Sequence, residues 1–338
     1  MPNCRDDLEL HLERLRKDAR TVVLTHDFPD PDALSSAVGL CRLLQVTRRH
    51  EVVVGYGGFI GRAENRVLAS QLDVPVVSVD ELYIDGFDYV GLVDTQPGVG
   101  NNPLPSDRRA DIVVDHHPAA LEPNRCEWYD VRPEFGACAT IVHGYLRQMG
   151  IPISKRLATA FFYAIKSETQ DLVREASAMD VEAYRALMTE VDREALGNIL
   201  SPPVSPDYYL LLSRAVERSR IFGELLVVDL QNVPFPEMVA EIADLMLRHE
   251  GIRWVLSLGQ FSDGLYLSMR TRDPVGNAGT MLRDVVGSDG RAGGHGSMAG
   301  GRVPVPVSDI AAVRHAVDGI TDRLLTALGL EDEVERHI

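Results

Sequence analysis

The sequence is short of cysteine, of aromatic residues and of positive charge. Only four of its 338 residues are cysteines, Cys4, Cys41, Cys126 and Cys138, and none are spaced as a Cys-x-x-Cys pair. That excludes a disulfide framework or a cysteine zinc site; free thiols fit a reducing, cytoplasmic setting. No run approaches the roughly 18 apolar residues needed to span a bilayer, so no membrane partner is expected. The opening stretch MPNCRDDLELHLERLRKD is charged from its fifth residue and lacks the apolar core of a secretion signal. Lysine and arginine number 34 against 50 aspartates and glutamates, a formal net charge of −16. Long nucleic acids are held by neutralising many phosphates, so this deficit argues against a long-duplex DNA groove. It leaves room for a small anionic ligand in a locally positive pocket.

What is present is an ordinary globular composition, 45% hydrophobic and 25% charged, over a length that suits two domains. Residues 5–17 show helical apolar spacing. TVVLT (21–25) is a short β-branched run that predicts a buried strand, and ALSSAVGLCRLLQ after Asp32 predicts a helix. The pattern repeats through strand EVVVGY, a helix near Arg62–Leu72 and strands PVVSV, DYVGLVD and ADIVVD, with helices over 136–149 and 154–166. Short apolar strands alternating with helices imply an α/β fold with a parallel sheet. Residues 1–190 are assigned to this domain and the proline-bearing stretch 191–221 to a linker. Residues 222–338 are assigned to a smaller α/β domain, with strands at 224–230, 254–261 and 265–270 and helices near 236–249 and 308–328. A cleft between the two domains is expected.

Residues 26–35 read HDFPDPDALS, with one histidine and three aspartates within seven positions. Three polar clusters directly follow apolar strands: His26, Asp30 and Asp32 after TVVLT; Asp94 and Thr95 after YVGLV; Asp115, His116 and His117 after DIVV. Parallel sheets gather ligands at the carboxyl ends of their strands, so the three clusters are expected on one rim. Pro29 and Pro31 are expected to keep the first cluster extended. Asp30 and Asp32 would then lie on one side, about 6.6 Å apart, each able to hold a different ion of a metal pair. Two carboxylates about 5 Å apart repel by about 3 kcal/mol at an effective dielectric of 20, and four make six such pairs, roughly 20 kcal/mol. A domain is stable by only about 5–15 kcal/mol, so carboxylates that converge must be protonated or bind cations, and divalent metals are the favoured answer. Imidazole and carboxylate without thiolate suit manganese, iron or zinc better than calcium. Asp115 is expected to accept from the outer N–H of His116.

These residues resemble a known family. HxxPDxDA at His26–Ala33, the strand-terminal Asp94, VDHHP at Val114–Pro118 and GGHGSMAGG at Gly293–Gly301 are similar, in order and spacing, to the motifs of the DHH phosphoesterases and their associated C-terminal domain. The short two-domain branch includes nanoRNases, adenosine 3′,5′-bisphosphate phosphatases and cleavers of dinucleotides. The resemblance implies two divalent ions, usually manganese: His26 and Asp30 on one, Asp32 and His116 on the other, and Asp94 bridging. Glu168 stands where the family has an aspartate, with Asp171 as fallback; Phe28 and Pro31 also depart from the family pattern. Asp94, Asp115 and His117 are the expected catalytic residues. His117, Arg270, Gly293, Gly294 and His295 are expected to bind substrate. GHGSMA also fits a dinucleotide-binding fingerprint, but Pro304 and Pro306 deny the helix such a fingerprint must open. The N-terminus of the helix after FGACAT (135–140) is a further candidate for anion binding.

The reaction expected is hydrolysis of short nucleotidic phosphoesters, with a short nucleotide or oligonucleotide as substrate and a homodimer as an open possibility. The alternatives are an inorganic pyrophosphatase-like hydrolase and a non-catalytic nucleotide-binding paralogue.

Overall fold

The structure, a computed structural model, describes residues 4–118, 123–262 and 264–338, with residues 4–6, 123 and 295 described by backbone alone. The chain divides into two compact units, Met1–Pro203 and Val204–Ile338.

The first unit runs α1 (Cys4–Arg14), β1 (Arg20–Leu24), α2 (Pro31–Arg48), β2 (Glu51–Tyr56), α3 (Ala63–Gln71), β3 (Val76–Ser78), β4 (Tyr89–Val93), β5 (Ala110–Asp115), β6 (Cys126–Val131), α4 (Cys138–Gln148), α5 (Lys155–Glu168), α6 (Ala178–Met188) and α7 (Arg193–Leu200). Its six strands are all parallel, in the order β3-β2-β1-β4-β5-β6. Strand order reverses between β1 and β4, which opens a crevice at their carboxyl ends. β1, β4 and β5 are apolar almost without interruption because both sheet faces are covered. Val23, Val93 and Val114 pack under α2, α4 and α5, and Val22, Leu92 and Val113 pack with Phe87 and Leu104 on the other face.

The expected extended geometry at Pro29–Asp32 is not what the chain adopts. Asp30 is the N-cap of α2, its carboxylate accepting from the Ala33 N–H at 2.9 Å; Pro31 is the first helical residue and Asp32 lies in the first turn. Proline is well tolerated there, since its missing N–H has no helical partner to lose. Gly39 lets α4 and α5 close on α2: a Cβ there would fall 2.5 Å from Phe161 Cζ and 2.6 Å from Val142 Cγ1.

The second unit contains α8 (Pro206–Glu217), β7 (Ser219–Phe222), β8 (Leu225–Asn232), α9 (Glu237–Met246), β9 (Trp254–Phe261), β10 (Gly264–Thr271), α10 (Ala278–Val286), β11 (Arg291–His295), β12 (Met298–Pro304), α11 (Ile310–Leu328) and β13 (Arg336–His337). Residues 191–221 thus hold two helices, α7 and α8. The sheet order is β11-β12-β10-β9-β8-β7-β13, with β8 and β9 parallel and every other pair antiparallel. The glycine-rich stretch is a hairpin, β11 turning into β12 at Gly296–Ser297, with no helix behind it. Gly294 has φ +144°, and a Cβ would lie 2.4 Å from the Met298 carbonyl oxygen, so only glycine fits. Among the described residues no helix is long and apolar enough to cross a membrane. Cys41, Cys126 and Cys138 are buried and unpaired.

Candidate metal centre

The three clusters meet at the reversal of strand order. His26 and Asp30 follow β1, Asp94 follows β4, and His116 and His117 follow β5. Asp94 is buried at φ +58°, a left-handed conformation that aspartate tolerates better than most residues. Its carboxylate is the hub: His26 Nε2 stands 3.5 Å from Oδ2, His116 Nε2 3.4 Å and His117 Nδ1 3.6 Å from Oδ1. His26 Nε2 is 3.8 Å from Asp30 Oδ1, and His116 Nε2 is 3.7 Å from Asp32 Oδ2. Asp94 therefore belongs to two donor groups, one with His26 and Asp30 and one with His116 and His117, each with donor atoms within 4.8 Å of one another.

The imidazoles are aimed by their other nitrogens. His26 Nδ1 donates to its neighbour's carbonyl at Asp27, 2.8 Å away, and His116 Nδ1 to the Phe135 carbonyl at 3.1 Å. Each therefore turns Nε2 towards the carboxylates, the orientation typical of metal-bound histidine. The expectation that Asp115 orients His116 is corrected here. Asp115 Oδ1 takes the backbone N–H groups of His116 and His117 and the ring Nδ1–H of His117 at 2.9 Å; Gln96 donates to Oδ2 at 2.7 Å. The turn after β5 folds the His117 ring back over Asp115 and sends that of His116 towards Phe135. His117, its Nδ1 hydrogen committed to Asp115, offers Nε2 instead.

Asp32 is held by protein. Its carboxylate accepts from the N–H groups of Cys138 and Ala139 at 2.7 Å each. The start of α4, expected as a site for a substrate anion, is thus already occupied by a carboxylate of this chain. Glu168 ends α5 and is paired with Arg174, Nη2 to Oε1, at 3.0 Å. Asp171, the fallback ligand, is exposed and bound to Lys166 at 2.5 Å and to the Tyr184 hydroxyl at 3.1 Å, so it is not available to the cluster.

Electrostatics single out the same groups. Burial opposes charge on His26 and His116, yet Asp30 and Asp94 around the first, and Asp94 and Asp32 around the second, lift both well above the ordinary imidazole range. Burial would raise Asp94, but the same imidazoles hold it well below the usual carboxylate range. On His117 burial is outweighed by the Asp115 hydrogen bond, giving a pKa of about 9. Burial, and then the charge of Asp30, push Glu168 up, with Arg174 opposing.

A divalent ion fits this donor set. Asp94 Oδ1 is buried without a hydrogen bond, and the Nε2 atoms facing Asp94, at 3.4 and 3.5 Å, are beyond good hydrogen-bond length. Donors sharing one ion through bonds of about 2.1 Å lie roughly 3–3.5 Å apart; the imidazole spacings to Asp94, 3.5 and 3.4 Å, meet this, and those to Asp30 and Asp32, 3.8 and 3.7 Å, are slightly wider.

The expected substrate residues of the second unit lie more than 100 positions beyond Glu168 in sequence. Arg270 is buried on β10, its Nε on Asp244 at 2.5 Å and its Nη1 on the Ser268 hydroxyl at 2.7 Å. It is not a solvated surface charge; it lines a cavity of about 330 Å³ together with Gly294, Tyr266 and Met298. Gly293 sits beside Gly294 on β11 and does not line that cavity. The side chain of His295 lies outside the described residues. Gln96, the Phe135 carbonyl and Arg174 were not singled out by the sequence. Gln96 stands two residues after Asp94, but its contact with Asp115 depends on the neighbouring strand.

No family model matches the chain. Over 333 residues it is 31% identical to an uncharacterized protein, MJ1633, of Methanocaldococcus jannaschii, covering 96% of this chain and 68% of that one. The chain belongs to the family of that archaeal protein. It is also 28% identical over 233 residues to a probable manganese-dependent inorganic pyrophosphatase of Staphylococcus haemolyticus, covering 67% of this chain and 71% of the relative. In fold it is similar to an exopolyphosphatase-related protein from Bacteroides fragilis, with a TM-score of 0.68 and 15% identity over 96% of this chain and 97% of that chain.

Proposed function

We propose that the protein is a phosphoester hydrolase that uses two divalent ions, manganese first among them, to cleave short nucleotidic substrates. The observation that carries this reading is the single Asp94 carboxylate shared by two groups of donors. His26, Asp30 and Asp94 would hold one ion; Asp94, Asp32 and His116 would hold the other, with Glu168 at the edge. When bound, the ions supply charge neutralisation and Lewis-acid activation for water attack at phosphorus.

The chain's own residues do the rest. Asp32, tied to the start of α4, fixes one wall of the site. Gln96 holds Asp115, and Asp115 fixes the His117 ring with Nε2 turned outward, able to hold a phosphoryl oxygen or protonate the departing alkoxide. As water oxygen bonds to phosphorus and the P–O ester bond breaks, that alkoxide requires one proton. The cavity beside Arg270 supports ligand recognition by the second unit; its volume lies at the small end of the range for nucleotide-sized pockets.

Inorganic pyrophosphate hydrolysis is the second reading, favoured by the staphylococcal relative. The test is a manganese-supplemented panel of adenosine 3′,5′-bisphosphate, di- to pentanucleotides, cyclic dinucleotides and pyrophosphate. Release of nucleotide or phosphate from the nucleotidic substrates, lost reversibly on chelation, supports the first reading. Turnover of pyrophosphate alone supports the second. Binding without turnover of any of them identifies a nucleotide-binding paralogue.

A further inference from the structure

The segment after α5 is unusual in its backbone. Gln170, Asp171, Leu172 and Glu175 all have positive φ, at 49°, 58°, 67° and 46°, although none is glycine. Side chains in this region are disfavoured and persist only where surroundings enforce them, commonly at functional sites. Here the enforcement is visible. The Leu172 N–H donates to the Thr169 hydroxyl at 3.1 Å, the Arg174 N–H to the Thr169 carbonyl at 2.8 Å, and Lys166 clasps Asp171.

The turn delivers one side chain inward. Arg174 is only 17% exposed, and its Nη2 donates to both the carbonyl and the Oε1 of Glu168, at 2.6 and 3.0 Å. The far end of the turn is pressed against the metal centre's wall: a Cβ on Gly136 would lie 2.8 Å from the Glu175 carbonyl oxygen. Gly136 adjoins Phe135, whose carbonyl aims His116. A fixed guanidinium is thus held at the border of a cluster of carboxylates, where burial of a cation for stability alone would be a poor use of it. Glutamate, one methylene longer than aspartate, reaches from the end of α5 to Arg174 and still feels the charges of Asp30 and Asp94.

We propose that Arg174 is a substrate-binding residue that takes a phosphoryl oxygen of the ligand, with Glu168 as its positioning residue. This rests on the phosphoester reading above. Guanidinium matches phosphate oxygens in planar, charge-assisted pairs that an ammonium reproduces only in part.

The test uses the full chain loaded with Mn²⁺ and two probes, inorganic phosphate and adenosine 3′,5′-bisphosphate, titrated by calorimetry, alongside Mn²⁺ titration followed by electron paramagnetic resonance. Arg174→Gln should weaken binding of both probes by about tenfold or more, and Arg174→Lys should recover part of that loss. Mn²⁺ affinity should stay within about twofold of wild type in both. Unchanged probe binding in a folded Arg174→Gln protein overturns the proposal, as does a parallel loss of Mn²⁺, which would make Arg174 a support for Glu168 alone. If Arg174→Gln does not fold, Arg174→Lys decides: probe binding equal to wild type overturns the proposal, and weakened probe binding with Mn²⁺ retained supports it. Wild-type protein that binds Mn²⁺ but neither probe overturns the phosphoester reading as well, so the two failures are distinguishable.

Discussion

Replacing Asp94 with asparagine removes one charge and almost no volume, and φ +58° is tolerated by asparagine as it is by aspartate. The metal-free fold should therefore persist, which an alanine, penalised at that φ, would test less cleanly. The effect should appear when metal is added. A ligand at a hundred times its dissociation constant stabilises the native state by about 2.7 kcal/mol, so two ions contribute about 5 kcal/mol. For a unit of this size each kcal/mol moves Tm by about 2–4 °C. Wild-type protein in excess Mn²⁺ should then melt about 10–20 °C higher than in chelator. Asp94 is common to both donor groups, so Asp94→Asn should lose more than half of that shift, not the part due to one ion. Thermal melts followed by circular dichroism, with and without Mn²⁺, measure it directly. An asparagine variant that gains the full wild-type shift would refute the shared-carboxylate reading.

Asp115→Asn should reduce turnover by about tenfold or more while Mn²⁺ affinity is kept, because His116 is aimed by the Phe135 carbonyl and only His117 depends on Asp115; steady-state kinetics beside a metal titration separates the two. Gly39→Ala should cost about 1–3 kcal/mol in urea unfolding, since its methyl must displace Phe161 and Val142. Burial, and then the Arg147 charge, push His143 down to about 4. Between pH about 6.5 and 4 the unfolded chain takes up that proton and the native protein does not, so stability should fall as pH drops through this window, by about 3 kcal/mol. His143→Leu should flatten that limb of the stability curve relative to wild type, and an unchanged limb would show that other groups govern it.

The central strands were readable because a parallel strand covered on both faces is a continuous apolar run, and the donors follow directly where those runs stop. His26, Asp30, Asp32, Asp94 and His116 could be proposed as neighbours for that reason. What could not be read depends on turns and on contacts distant in sequence. Pro31 looked like a helix breaker but is a first helical residue, which only the capping of Ala33 by Asp30 reveals. Which imidazole Asp115 holds depends on the fold of the turn after β5. The choice between Glu168 and Asp171 was open in sequence; the fold turns Asp171 outward into an ion pair with Lys166 and sets Glu168 against Arg174. β11 and β12 carry glycines that disfavour strands, and pairing with β10 overrides that preference.

The donors come from residues 26 to 168, joined only after distant parallel strands have found one another. Loop-closure entropy makes such pairing slow and late. An ion that needs all of these segments together has little to grip in the folding transition state. The influence of an ion bound there would fall on the escape rate from the native state, making it a latch on a finished structure and not a seed for it.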